Sequence, residues 1–493
     1  VALFFVRRMG LAFLPEFNEG SLTIGAVTLP GTSLRESDAL GRAMEEILLE
    51  QPEVRSLARR TGRAELDEHA LGVEASELEV SLHPLSSGGR SKDELLAELR
   101  KALAILPGMN VTIGQPISHR IDHMLSGTQA SVAVKIFGED LSRLREIARE
   151  VEAAMATVVG VVDLAVEQQA DVPLLVVNFD RAALARYGIH VEEAAHTLEA
   201  VYRGHVASKV LEGRWTYDLV LRVRTDEVRG LEAIANLPID TPDGSKVPLG
   251  AVAEVRRDIG PNTISREALE RKIVVSCNVA GRDVASVVED CIELVDPILD
   301  AEPGYRVEYG GQFESAIEAR RVLTLLGAVV VIGIGFLLHL AFGTARDALL
   351  VMLNLPLALI GGIVGVFATG GVLTVASLIG FITVFGIATR NGIMLVLHIR
   401  HLQEEEGVSD FRAAVHRGAL ERLAPILMTA LATALALVPL ALGGDEPGNE
   451  IQTPMATVIL FGLSTSMVLN MLVVPALYLR FGRPARSVEG GVA

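Results

Sequence analysis

Arg390 and Asn391 stand side by side near the middle of an apolar run, "GFITVFGIATRNGIMLVL". A guanidinium in hydrocarbon costs on the order of 3 kcal/mol on insertion scales, so an intramembrane arginine ordinarily faces a bundle interior and has a task there. Beside a carboxylate it keeps that group ionised. Protonating the carboxylate removes the attraction and can switch how the helices pack. Thr429, one turn past Pro425 in a neighbouring apolar run, is a hydroxyl available to the same relay. The plainer role for Arg390 is to bond backbone carbonyls and fix helix packing. No apolar run carries an Asp or Glu at its centre, so the carboxylate is expected from elsewhere.

The elements that must position these groups are five runs, Leu323–Phe342, Ala348–Ala368, Leu373–Leu397, Leu423–Leu442 and Ala456–Tyr478. Each is about 20 residues or more, enough to cross a hydrocarbon core of roughly 30 Å. Half the residues are apolar, yet 21% are charged and the net charge is −17. A chain with both properties must segregate them: about 15–320 reads as soluble and acidic, and the remainder as membrane. The acidic balance and lack of basic tracts argue against nucleic acid and suit cations. Val1–Phe13 is too short to span a bilayer and lacks signal-peptide features, so it reads as the exit end of a transmembrane helix whose start is missing.

Loop charge gives orientation. Connections bearing Arg346, Arg400, Arg412, Arg417 and Arg422, and the tail with Arg480, Arg483 and Arg486, are basic; Thr369–Val372 and Gly443–Pro454 hold no Lys or Arg. By the positive-inside rule the basic ends are cytoplasmic and the large soluble region lies outside the cytoplasm. Arg7 and Arg8 run against the count and are read as snorkelling.

Within the soluble region Ser21–Leu29, Leu78–Leu82, Ala130–Phe137 and Ile273–Val279 alternate as half-buried strands. Helical periodicity fills Ser33–Leu49, Lys92–Ile105, Leu141–Val158 and Val284–Leu299, with Ser33 and Glu36 at capping-box spacing. Strand–helix–strand units of this kind predict split-βαβ, ferredoxin-like modules, an α+β region joined to an all-α membrane region. Gly361 and Gly365 have small-xxx-small spacing, Pro356, Pro439 and Pro475 predict kinks, and Gln403–Gly407 with Asp410–Arg417 predict a cytoplasmic amphipathic helix. Cys277 and Cys291 show no metal-binding spacing and read as buried free thiols.

The strings "FLPEFNEG", "TLPGTSL", "TGRAE", "VAVKIFGEDL", "RAALARYGI", "GPNTISRE", "YGGQFE", "AFGTARDALLVMLNLPLALIGG" and "GALERLAPILMTAL" occur in this order along the whole chain. Together they resemble the heavy-metal efflux branch of the resistance–nodulation–cell-division (RND) transporters, in the C-terminal half of that family's duplicated architecture. The resemblance implies residues 1–14 as the end of a truncated helix and 15–128 as a periplasmic porter subdomain. It implies 129–169 with 261–318 as a second, split porter subdomain, and 170–260 as a docking subdomain. Five transmembrane helices over 319–482 and a cytoplasmic tail over 483–493 complete a helical half-bundle.

It also implies a proton-driven transporter in the bacterial inner membrane, with membrane lipid around it and no permanently bound cofactor. Its expected partners are two further copies in a homotrimer, a periplasmic adaptor, an outer-membrane channel and the missing N-terminal half. Where copper and silver exporters of the family place three methionines, this sequence has Gly25, Ala75 and His123. A thioether cage for a soft ion is therefore not expected. His123 is the candidate ligand for Zn²⁺, Co²⁺ or Ni²⁺, with Asp122, Met124 and the acidic cluster Glu65, Asp67, Glu68 and His69 nearby. Two other readings stay open: export of an organic amphiphile, and a non-transporting half of a split pump.

Overall fold

The computed structural model describes residues 9–12, 15, 18–62, 72–83, 90–117, 120, 130–224, 230–444 and 448–482. The first element is β1 (Gly10–Leu11), which pairs in parallel with a strand at 372–373. Gly10 N and Ala12 N donate to Gly371 O and Leu373 O, each at 3.1 Å. The helix expected over residues 1–14 thus does not extend across 10–11. The backbone here bonds across to residues 371–373 instead of closing helical turns of its own, and residues 1–8 lie outside the described set.

The first module runs β2 (Ser21–Thr28), α1 (Leu34–Leu49), β3 (Val54–Thr61), β4 (Ala75–Leu82), α2 (Lys92–Leu103) and β5 (Met109–Gly114). Its sheet has the order β3-β4-β2-β5 with every neighbour antiparallel, the split-βαβ arrangement. One face of β2 supplies Leu22, Ile24 and Ala26, which pack with Met44 and Leu48 of α1 and Leu95 and Leu99 of α2. Both helices start on side-chain caps: Ser33 Oγ accepts from Glu36 N at 3.3 Å, and Ser91 and Glu94 close a reciprocal capping box.

Arg90 ties α2 back to the loop before β3, donating to both carboxylate oxygens of buried Glu53 at 2.9 and 2.6 Å. Those bonds hold Glu53 down at about 2, from an ordinary 4.5. A depressed carboxylate stabilises the fold fully above its unfolded value and loses that contribution as pH falls through the folded one. The stability gap between the parent and Glu53→Gln, followed by thermal unfolding against pH, is therefore expected to close between pH 4.5 and about 2. A gap independent of pH there would refute the assignment.

The second module is split in sequence. It comprises β6 (Val132–Phe137), α3 (Leu141–Met155) and β7 (Val161–Val166), resuming after the next unit. That unit, Gln169–Ile264, is compact in its own right. It contains β8 (Asp171–Phe179), α4 (Arg181–Tyr187), α5 (Val191–Tyr202), β9 (His205–Glu212), β10 (Trp215–Leu221), α6 (Leu231–Ala235), β11 (Pro238–Asp240), β12 (Lys246–Pro248) and β13 (Ala253–Pro261). Its core gathers Leu184, Ile189, Ile234, Leu249 and Val252. The antiparallel hairpin β9–β10 is exposed along both strands, Trp215, Tyr217 and Leu219 included.

The second module then continues with β14 (Ser265–Glu267), β15 (Glu270–Val279), α7 (Val284–Asp300) and β16 (Arg306–Gly311). Strand β7 joins β15, which joins β6 and then β16, repeating the order of the first module, with β14 as an added hairpin arm. Its core, centred on Val134, Ile136, Leu144, Ile147, Val275 and Val288, also takes in Cys277 and Cys291. Both are free, and burial pushes their thiols up to about 12 and about 11, which leaves them unreactive.

The helical region consists of α8 (Gln312–Phe342), α9 (Ala345–Met352), α10 (Asn354–Ala368), β17 (Val372–Leu373), α11 (Val375–Glu404), α12 (Phe411–Leu442) and α13 (Gln452–Phe481). Four of these helices, α8, α11, α12 and α13, are long and apolar enough to cross a membrane. The fifth expected span is broken at Leu353 into α9 and α10. Pro356 has no N–H for the carbonyl four residues back, at Met352, where α9 ends. At 1.5 Å per residue α10 alone covers only about 22 Å. The separate amphipathic helix expected at 403–417 is likewise absent. Those residues end α11 and begin α12, whose start is fixed by Asp410 accepting from Arg412 N at 3.0 Å.

Helix α10 lies against α13 through its glycines. A Cβ at Gly361 would meet Thr465 Oγ1 and the Phe461 carbonyl, and one at Gly365 would meet the Thr457 carbonyl at 3.0 Å. Backbone cannot yield as a side-chain tip can. Gly361→Ala is expected to cost about 1–3 kcal/mol in detergent thermal unfolding, and an unchanged melting temperature would refute the close packing.

Candidate functional site

Helix α11 carries the charge singled out above. Thr374 Oγ1 caps its start by accepting from Ser377 N at 3.2 Å, and its buried face includes Gly380, Val384, Ala388, Asn391, Gly392 and Leu395. Arg390 and Asn391, adjacent in sequence, point different ways: Arg390 is exposed, whereas Asn391 is 4% exposed. No hydrogen bond or ion pair joins Arg390 to another described side chain. Thr429 on α12 is also exposed. Its Oγ1 donates within its own helix, to Pro425 O at 3.1 Å and Ile426 O at 3.0 Å. The structure therefore does not link Arg390 and Thr429 by a bond.

Polar side chains line the packing of α11 against α13. Asn470, fully buried, donates its Nδ2 to Ala388 O at 3.4 Å, while its Oδ1 has no partner. Asn391 Nδ2, Thr389 Oγ1 and Ser466 Oγ are likewise buried and unpaired. Polar atoms at membrane depth persist only where protein or water can meet them, so this seam is chemically unlike the apolar packing around it. Asn470 and Ser466 lie four apart, about one turn, on α13, which also carries Thr457, Ser464 and Thr465, so no periodic polar pattern marks them in the sequence.

The expected cation ligands His123, Asp122, Met124, Glu65, Asp67 and His69 lie outside the described residues, as does Glu68. Gly25 and Ala75 are described. The odd positions of β2 face away from α1 and α2, and Gly25 pairs there with Glu77 and Thr112 while Val27 pairs with Ala75. That face bears two carboxylates. Glu77 accepts from Arg60 Nη2 at 2.5 Å, and Glu79 accepts from Thr23 Oγ1 at 3.1 Å. Among the described residues no three His, Cys, Asp or Glu side chains converge on a common point for a metal. The donor character of this face is oxygen, as suits divalent rather than soft monovalent ions.

At the Arg-rich end of the bundle a second polar group forms. Arg400 donates to Asp347 and, at 2.9 Å, to Phe342 O; Thr344 Oγ1 donates to Asp347 Oδ2 at 2.6 Å. His398 pairs its Nε2 with Glu421 Oε2 at 2.7 Å and stacks on His401.

Comparison with known proteins places these features in a lineage. The family model described as the AcrB/AcrD/AcrF family matches residues 1–482. The cobalt-zinc-cadmium resistance protein CzcA of Cupriavidus metallidurans is 36% identical over 481 residues, 96% of this chain and 45% of CzcA. The nickel and cobalt resistance protein CnrA of the same organism is 34% identical over 477 residues, 95% of this chain and 44% of CnrA. A solved structure described as a heavy metal efflux pump superposes with a TM-score of 0.82 at 31% identity, covering 97% of this chain and 48% of that one. The chain spans about half the length of the curated relatives it matches.

Proposed function

The chain belongs to the AcrB/AcrD/AcrF family, in the heavy-metal efflux branch of the RND transporters, and from that premise we propose that it builds about half of an inner-membrane pump that exports divalent cations by proton antiport. The observation that carries this reading is the likeness over nearly the whole chain to a heavy metal efflux pump, at a TM-score of 0.82. The cargo class follows from the relatives, whose names specify cobalt, zinc and cadmium in one case and nickel and cobalt in the other. Oxygen donors on the Gly25 face, and the absence of Met at Gly25 and Ala75, support the same class over a thioether-bound monovalent ion. An organic amphiphile would need apolar and aromatic walls, and aromatics are only 4% of the sequence.

In this reading the two split-βαβ modules are porter subdomains on the periplasmic side, and residues 170–260, within the compact unit Gln169–Ile264, are the docking subdomain. His123 remains the proposed imidazole ligand, with Asp122, Met124, Glu65, Asp67 and His69 around it. Orientation is supported by Arg346, Arg400, Arg412, Arg417, Arg422 and Arg480, which lie towards the ends of α11 and α13 and the starts of α9 and α12. The hairpin β9–β10, exposed on both faces, supports contact with neighbouring copies in a homotrimer, and an adaptor and outer-membrane channel complete the path. Arg390 is the coupling residue, its carboxylate supplied by a second set of helices.

The test is cation flux in proteoliposomes containing the whole pump, with Zn²⁺, Co²⁺ or Ni²⁺ driven by an imposed pH gradient. Flux that collapses with the gradient is expected. Flux of an amphiphilic dye, with none of any divalent ion, would overturn the cargo assignment.

A further inference from the structure

Asp163 in β7 has a left-handed backbone, with φ at +51°, a conformation uncommon outside glycine. It lies opposite a register shift in β15, between Ser276 and Asn278. Its side chain is 4% exposed and both oxygens are engaged. Arg100 Nε donates to Oδ1 at 2.7 Å and Arg100 Nη2 to Oδ2 at 2.9 Å, a two-pronged fork, while Asn278 Nδ2 donates to Oδ2 at 3.0 Å. Asn278 is itself held, its Oδ1 accepting from Ser131 N at 3.2 Å and Ser131 Oγ at 3.3 Å.

Arg100 belongs to α2 of the first module, whereas Asp163 and Asn278 belong to the second. Asn278 Nδ2 also reaches the carbonyl of Ile113, in β5 of the first module, at 3.4 Å. The two modules have separate apolar cores, with no buried residue shared between them. What crosses from one to the other at this point is polar. Bodies joined by a polar contact, each with its own core, can move without exposing core surface. Backbone strain persists where the surrounding contacts hold it, and it is relieved when they part, which narrows the energy gap between joined and parted states.

We propose that Arg100, Asp163 and Asn278 form a releasable clasp between the two modules. Closed, the fork fixes one mutual orientation. Open, Arg100, already 23% exposed, passes to water, and Asp163 relaxes its backbone. The inference rests on reading the modules as moving walls of a cation path, but its test reads distance, so either can fail alone.

The test is pulsed dipolar EPR on the full chain in lipid nanodiscs, with nitroxides at Glu46→Cys on α1 and Glu293→Cys on α7, both exposed positions. Cys277 and Cys291 are buried and stay unlabelled. The parent is expected to give one dominant distance. In Asp163→Asn and in Arg100→Gln, the weight of a second distance is expected to rise about tenfold, the loss of one charge-assisted contact. The double variant should go no further, because both changes remove one contact. Asp163→Gly, which tolerates the positive φ, should behave as Asp163→Asn does, and Arg100→Lys, which keeps charge but not the fork, should fall between. Unchanged distances in all these variants, or additive shifts in the double, would overturn the clasp. So would a shift confined to Asp163→Gly, which would assign the effect to the backbone alone.

Discussion

Arg390→Leu is expected to bring proton-driven cation flux to background while leaving the protein inserted and folded. The two halves of that expectation have opposite signs. Removing a guanidinium from mid-span relieves roughly 3 kcal/mol of insertion cost, so membrane yield should hold or rise. On the proposed reading, however, the coupling device disappears with it. A carboxylate that loses its cationic neighbour no longer has a protonation state that changes helix packing. Arg390 faces outward from α11 without a described partner, so its loss should disturb the α11–α13 packing little. Arg390→Lys keeps a point charge without the planar fork and is expected to retain part of the flux. Proteoliposome flux measured beside detergent thermal unfolding separates the cases. Leucine variants that pump normally would reduce Arg390 to a packing residue.

Much of the soluble architecture was legible in the sequence because its modules are built on period and caps. The alternation in Ser21–Leu29 marks β2, and Ser33 marks the start of α1 where its hydroxyl accepts from Glu36 N. Strand order was not written there. That β4 lies between β3 and β2 follows from which apolar faces meet, a long-range outcome that local pattern does not carry. The membrane runs were legible as hydropathy, but the break at Leu353 required weighing Pro356 against the length of the run. Asn391 stands out in the sequence because it adjoins a charge; Asn470, a lone amide among scattered hydroxyls on α13, gives no periodic signal. Glu77 and Glu79 were hidden differently: only the register of β2 and β4 puts them on the face of Gly25. The proposed ligands around His123 stand on motif register alone.

Arg400→Ala is expected to be the most destabilising single truncation in the helical region, by about 3–5 kcal/mol. Asp347 has a side chain only 4% exposed, and one of its oxygens already lacks a partner. Deleting Arg400 leaves that carboxylate buried with Thr344 alone. It also frees the Phe342 carbonyl, which ends α8 and has no further turn of helix to bond it. Truncating the other partner should cost less, because Arg400 at 23% exposure can extend to solvent and keep its bond to Phe342. An Asp347→Leu, Arg400→Met double change, which removes both charges and keeps volume, should recover much of the loss. Thermal unfolding of the four proteins in one detergent reads this directly; equal melting temperatures for parent and Arg400→Ala would mean the pair contributes nothing. On the proposed reading the consequence reaches Arg390. Arg400 lies about 15 Å beyond Arg390 on the same helix, at 1.5 Å per residue. If α11 spans the membrane as proposed, the anchor that Asp347 provides at one end of it would set the depth at which Arg390 stands. Variants that keep the fold but lose this anchor should show weakened flux even with Arg390 in place.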